Sequence, residues 1–242
     1  MLFERQEAVK SFQELTTLVL GFAKSGKTTL HACYEQIMSK PPLFLMTEDG
    51  LGILSAYAVR ISKWEGFQKL LAKLQRDNKT LKEEFGCIIV DLIGELDAMC
   101  MQYVCKINGK ESLGEIAHGK GYYIHAITFK QAVQDILALG LSVKFISHAK
   151  EKSFGSSGEG TTLYEPDISK QARQFVLGKC DAIGFIEPTK STGDNYINFN
   201  SQFAPDTGSR FPNIVKSFRL NHNDLSQTLL EIDTEFCKED KK

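Results

Sequence analysis

The chain has almost no excess of either charge. Its 242 residues carry 29 Lys and Arg against 30 Asp and Glu, a formal net charge of -1. That balance excludes a basic field over the whole surface, so any nucleic-acid contact must come from local patches or from assembly of several copies. Long apolar runs are also missing. Stretches such as Leu18–Leu20 fall far short of the roughly 20 residues a membrane-spanning helix needs. The opening MLFERQEAVK carries acids where a secretory leader would carry an apolar core, so neither a membrane span nor a signal peptide is expected. No Cys-x-x-Cys pair occurs among Cys33, Cys87, Cys100, Cys105, Cys180 and Cys237. Their scatter points to reduced thiols in a cytoplasmic chain. Cys100 and Cys105, with His118 downstream, lack the spacing of a standard zinc site and read as core residues. There is no internal repeat and no domain-scale linker. One domain over residues 1–236 and a flexible tail at 237–242 are therefore expected.

What is present is a core-forming pattern. Hydrophobic residues make up 42% of the chain. TTLVL at 16–20, LFLMT at 43–47, CIIVD at 87–91 and SVKFIS at 142–147 read as buried strands. Helical spacing marks 27–39, 64–76, 92–105, 123–139 and 169–178. Glycine-dotted segments at 106–121 and 149–168 read as loops, and strands near 181–187 and 195–200 complete the set. Continuous apolar strands alternating with amphipathic helices predict an α/β fold with a mostly parallel sheet covered on both faces.

The chemistry concentrates in GFAKSGKT at 21–28, a complete G-x-x-x-x-G-K-[ST] match between a buried strand and a helix. Gly21, Phe22, Ala23, Lys24, Ser25 and Gly26 would wrap backbone N–H groups around the phosphates of ATP. Lys27 would pair with the β- and γ-phosphates, and the Thr28 hydroxyl would face Mg²⁺. The N-terminus of the following helix adds its positive end. Asp91, closing CIIVD, suits the Mg²⁺ shell. The next residue is Leu92, so no second acid follows it directly. Glu48, just past the 43–47 strand at the ligand-facing edge of a parallel sheet, could polarise the attacking water, with Asp49 as competitor. His148 ends the fourth strand and could sense the γ-phosphate or simply close a strand with a hydrogen bond. Arg210, in GSRFP, could reach a neighbouring subunit's γ-phosphate or lie on the surface.

Lysines interleave with aromatics in two places. Lys106, Lys110 and Lys120 accompany Tyr122 and Tyr123, and Lys150 and Lys152 accompany Phe154. Such patches suit single-stranded nucleic acid through phosphate contacts and base stacking, although solvated loops have the same composition. The segments 106–123 and 149–160 are the candidate DNA-binding loops.

The order of these pieces resembles the RecA-like ATPase core. It looks most like the small phage ATP-binding proteins of the Sak-type single-strand annealing group, over most of residues 15–220. The segments that carry the resemblance are GFAKSGKTTL, CIIVDLIGEL, the YVC at 103–105, HGKGYY, FISHAK, KCDAIGFI and SRFP. It implies phosphate and metal roles for Gly26, Lys27, Thr28 and Thr29, and the magnesium role for Asp91. Glu48 would position water, His148 would be the sensor, and Arg210 would be a finger acting in trans. Many relatives place a lysine two residues before that arginine, where this chain has Gly208. The implied protein is a cytoplasmic, Mg²⁺-dependent ATPase that forms homo-oligomers. It binds single-stranded DNA in phage recombination or replication, with a single-stranded-DNA-binding protein as a further partner and DNA contact made by core loops. Two rival readings use the same motif. One is a small-molecule kinase, although residues 149–165 hold no arginine for a lid. The other is a nucleotide-gated interaction protein that does not hydrolyse.

Overall fold

The computed structural model describes residues 9–48, 55–152, 162–188, 194–214, 216–221 and 223–238, apart from the side chain of His118. Strand β1 (Thr17–Gly21) runs into the 21–28 loop and helix α1 (Lys27–Ala32), followed by α2 (Tyr34–Ile37), β2 (Pro42–Met46) and β3 (Tyr57–Arg60). Next come α3 (Trp64–Arg76), α4 (Asn78–Glu84), β4 (Cys87–Asp91), α5 (Ile93–Ile107) and α6 (Lys120–Leu137). Then β5 (Ser142–Lys152), β6 (Leu163–Pro166), α7 (Lys170–Lys179), β7 (Ala182–Pro188) and β8 (Asn195–Asn198) follow. The last elements are β9 (Gly208–Ser209), β10 (Ser217–Arg219) and α8 (Leu225–Phe236).

The strands form one sheet in the order β10-β8-β7-β1-β5-β4-β2-β3. The six from β7 to β3 pair in parallel, and β8 and β10 extend that sheet antiparallel. This is the α/β architecture expected from the sequence, a mostly parallel sheet flanked by helices. Alternation along each strand divides the core in two. Leu18, Leu20, Leu43, Leu45, Ile88, Val90 and Phe145 pack under α3, α5, α6 and α7. Val19, Phe44, Met46, Ile89 and Ile146 pack under α1, α2 and α8. Burial on both faces explains why these strands read as unbroken apolar runs.

The order matters for the site, because β5 lies between β1 and β4. Gly21 pairs with His148, Asp91 with Ile146, and Met46 with Asp91. The C-terminal ends of β1, β4 and β2 therefore meet β5 around Ile146–His148 at one edge of the parallel sheet, which is where a parallel α/β sheet binds its ligands.

Several sequence expectations need correction. The helix expected at 27–39 is interrupted at Cys33, whose N–H is shared between the carbonyls of Thr29 and Leu30, a tightening typical of a helix end. The loop expected at 149–168 is in good part a hairpin. Strand β5 continues to Lys152 and pairs antiparallel with β6, Ala149 facing Pro166 and Lys152 facing Leu163; residues 153–161 lie outside the described residues. The loop expected at 106–121 holds two short 3-10 turns, and α6 already begins at Lys120. Tyr122 and Tyr123 thus stand on a helix. Strand β3, helices α4 and α8 and strand β10 had not been expected.

Candidate functional site

The loop's backbone departs from ordinary conformations where the motif demands it. Gly26, the N-cap of α1, has φ 91°, and Lys24 has φ 62°. Left-handed geometry at Gly26 costs little without a Cβ. At Gly21 the constraint is space, since a Cβ there would lie 2.7 Å from Ser25 Oγ. Phe22 faces away from the loop's concave side. Its ring meets the edges of Tyr164 at 4.9 Å and Phe185 at 5.8 Å, which ties the loop to the β6 hairpin.

Lys27 is only 5% exposed. Its Nζ donates to the carbonyls of Gly21 at 3.0 Å and Phe22 at 2.7 Å, and lies 3.4 Å from His148 Nδ1. Burial lowers its pKa to about 8, partly offset by the charges of Asp91 and Glu48. Thr28 Oγ1 donates to Asp91 Oδ2 at 2.7 Å. Burial raises the Asp91 pKa, while the Thr28 hydrogen bond and the Lys27 charge pull it back. Across the cleft, Glu48 Oε2 stands 3.9 Å from His148 Nε2, and both side chains are half-exposed.

These groups line one cavity of about 410 Å³ with Ala23, Lys24, Ser25, Gly26, Thr29, Met46 and Leu92. Asp91 ends β4, Glu48 lies two residues beyond β2, and His148 stands within β5 opposite Gly21; all three line this cavity. The loop and helix α1 supply the phosphate side. Ser25 Oγ is buried without a hydrogen-bond partner among the described residues, and Lys27 is a desolvated cation held by carbonyls. A polyphosphate would satisfy both, and the donor set fits that group. Thr28 and Asp91 are the oxygen ligands that would hold Mg²⁺. Among the described residues no cluster of three His, Cys, Asp or Glu side chains forms a metal-binding group. An ion here would accordingly take the rest of its shell from phosphate and water, as Mg²⁺ commonly does.

Other candidates lie elsewhere. Arg210 is at the opposite edge of the sheet. Its backbone N–H donates to the Asp181 carbonyl next to the start of β7, and its guanidinium bonds Asp181 Oδ1 at 3.1 Å and the Gly178 carbonyl at 2.9 Å. The full length of β1 separates it from this chain's own phosphate loop. Lys150 pairs with Asp167 at 3.1 Å, Lys152 with Glu165 at 3.8 Å, and Lys106 with Glu65 at 2.7 Å. Tyr122 and Tyr123 are exposed, at 50% and 66%. Cys100 and Cys105 are buried on α5 in apolar clusters. Asp49, the competitor of Glu48, lies outside the described residues.

One residue was missed by the sequence reading. Thr47 links the ends of β2 and β4 through its hydroxyl, which meets both backbone groups of Leu92. Its signal was modest, a polar β-branched residue closing an apolar strand directly before Glu48.

A family model described as an AAA domain matches residues 13–211, which contain every site residue named above. A search of the curated proteins finds no match. No helix among the described residues is long and apolar enough to cross a membrane.

Proposed function

The chain belongs to the AAA domain family of P-loop ATPases, and from that premise we propose that it hydrolyses ATP with Mg²⁺ and couples the nucleotide state to single-stranded DNA. The observation that carries the hydrolysis reading is the convergence of Lys27, the Thr28–Asp91 pair, Glu48 and His148 on one cavity. Lys27 would exchange its two carbonyl partners for β- and γ-phosphate oxygens, neutralising charge that develops on transfer. Thr28 and Asp91 would hold Mg²⁺, which supplies charge neutralisation to the phosphates when bound. Glu48 would orient the attacking water and accept its proton. His148, between Lys27 and Glu48, would register whether the γ-phosphate is present. Thr29 would continue the phosphate cradle at the start of α1.

The DNA reading rests on less. It draws on the likeness to the Sak-type phage annealing proteins and on the exposed tyrosines of α6 beside Lys120. The β5–β6 hairpin that begins at His148 supports it further, since a strand running directly out of the nucleotide site is suited to relay its state. Annealing or recombinase-type activity in phage recombination or replication, carried out by a homo-oligomer with a single-stranded-DNA-binding protein, is the setting that fits this reading. Lys150 and Lys152 contribute less than their sequence context implied, because each has an acidic partner across the hairpin.

The test is an ATPase assay with and without single-stranded DNA, run beside a phosphate-acceptor screen. Wild type should release phosphate in Mg²⁺, and DNA should change the rate. Lys27→Ala should abolish turnover and weaken nucleotide binding. Glu48→Gln should keep ATP but slow hydrolysis by roughly 10²- to 10⁴-fold. If Asp49→Asn shows that loss instead, the water-positioning acid is the other one. Transfer to a small acceptor without hydrolysis would replace the ATPase reading with a kinase.

A further inference from the structure

Two catalytic strands end side by side at the site, and their ends must hold a fixed offset for Glu48 and Asp91 to act on the same phosphate. The regular ladder does not reach that far, since the last β2–β4 pair is Met46 with Asp91. At that point, among the described residues, the connection passes to Thr47, whose N–H closes the ladder and whose hydroxyl extends it. The Thr47 backbone N–H donates to the Asp91 carbonyl at 2.8 Å. Its hydroxyl then accepts from the Leu92 N–H at 2.8 Å and donates to the Leu92 carbonyl at 3.1 Å.

Leu92 is itself a junction. It follows Asp91, its side chain is 4% exposed, and it is the N-cap of α5, where its carbonyl also accepts from Leu96 N–H at 3.3 Å. Thr47 sits directly before Glu48. Three hydrogen bonds from one residue therefore join the acid at the end of β2, the aspartate at the end of β4 and the first turn of α5.

From this geometry we propose that Thr47 is a positioning residue, which fixes the Glu48 carboxylate relative to the Asp91–Thr28 pair through the Leu92 backbone. The proposal rests on the hydrolytic reading above. The hydroxyl is required because Leu92 presents a donor and an acceptor together, and a hydroxyl can answer both from one atom. An aliphatic side chain of the same shape answers neither. Displacement of a catalytic group by about 1 Å can cost on the order of 10²-fold in rate, so a loosened offset should appear in turnover before it appears in binding.

Thr47→Val keeps the shape and removes both hydroxyl bonds, and Thr47→Ser restores the hydroxyl. Thr47→Val should lower kcat by roughly 10- to 100-fold while nucleotide affinity stays within about threefold of wild type, the pattern of a lost transition-state interaction. Thr47→Ser should recover most of that rate. In the nucleotide-free protein, amide hydrogen exchange of a peptide spanning residues 87–97 should quicken in Thr47→Val and not in Thr47→Ser. An unchanged kcat in Thr47→Val would overturn the proposal. So would parallel losses of kcat and affinity, or a Thr47→Ser variant as impaired as Thr47→Val. If wild type shows no turnover at all, the hydrolytic reading fails, and exchange alone decides whether Thr47 holds the Leu92 backbone: equal protection in wild type and Thr47→Val would then sink it.

Discussion

Two buried lysines show how the same side chain serves different ends. Lys27 meets the cavity. Lys144, in the middle of β5, is fully buried on the α1–α2 side of the sheet. Its ammonium donates to the Leu15 carbonyl and lies 5.1 Å from the Tyr34 ring centre and 5.8 Å from that of Phe12. Burial lowers its pKa to about 8. Cation–π contacts and one carbonyl hold the charge, with no carboxylate contact among the described residues. A cation whose folded-state pKa is lowered destabilises the fold while it stays protonated. The unfolded chain then binds more protons between about pH 8 and 10.5, and this lysine's contribution makes stability rise with pH across that window. Lys144→Met removes the buried charge at similar volume. Urea unfolding at pH 7 and pH 10 should show the variant's stability relative to wild type falling by about 2 kcal/mol between the two. Lys27 titrates in both proteins and cancels in the difference. Burial, the larger cause, holds the Cys87 and Cys180 thiols above their ordinary range with or without the Lys144 charge, which lowers both. Parallel profiles would mean that the Lys144 charge is solvated in the folded protein. Thr47 and Lys144 were both hard to read from sequence. One looks like a strand terminus and the other like a solvent-facing position in an alternating strand.

Elements were legible in proportion to how much of their own signal they carry. Strand β4 and helix α3 match their expected spans because an uninterrupted apolar run and a full amphipathic period leave one solution each. The phosphate loop was legible because its chemistry fixes spacing residue by residue. Strand β3 was not, since its YAVR sequence is largely exposed at the sheet edge and carries no core pattern. Helix α8 did carry one. Leu225, Thr228, Leu229 and Ile232 recur at helical spacing behind the Asp224 cap, and the three apolar ones join the core cluster under α1 and α2, yet the segment is expected within the domain without a helix assigned to it. The β5–β6 hairpin was obscured for another reason. Its partner strands flank a glycine- and serine-rich stretch, and pairing between distant segments leaves no local trace. The start of α6 matters most for function, because α6 begins at Lys120, three residues before the expected helix, and so holds Tyr122 as well as Tyr123 on one rigid element. Exposed aromatics on a rigid element stack bases at low entropic cost, and each stacked base is worth about 1–3 kcal/mol. Replacing both tyrosines with alanine should weaken single-stranded DNA binding by at least about tenfold and leave DNA-independent ATPase activity intact, as read by fluorescence anisotropy beside phosphate release. Unchanged DNA affinity would place the track away from α6. The Lys150 and Lys152 pair should matter less to affinity than to the hairpin they cross-link.

At the scale of the whole molecule, the separation of Arg210 from the cavity sets the geometry of any cooperative mechanism. The cavity opens at the C-terminal ends of the parallel strands, and Arg210 sits beside the start of β7 at the other end. The two cannot meet within one copy without dismantling the sheet. They meet only if the β7 starting edge of one copy faces the cavity of the next, a head-to-tail contact that generates a ring or a filament. The Asp181 partner holds the guanidinium at the surface in the meantime, with the Arg210 side chain 59% exposed. An exposed ion pair of this kind contributes little to stability, so releasing Arg210 to a neighbour's phosphate costs the fold little. Arg210→Ala should fold normally by circular dichroism and hydrolyse ATP poorly. Lys27→Ala should be inactive for the separate reason that its own cavity is broken. An equimolar mixture then distinguishes the geometries. In a head-to-tail assembly, an Arg210→Ala cavity next to a Lys27→Ala neighbour is complete, with the lysine from one copy and the arginine from the other. Random assembly makes about a quarter of the interfaces of this kind, so the mixture should recover activity that neither variant has alone. A mixture as inactive as its components, from variants shown to co-assemble, would remove Arg210 from the site of the neighbouring subunit and return it to the surface pair with Asp181.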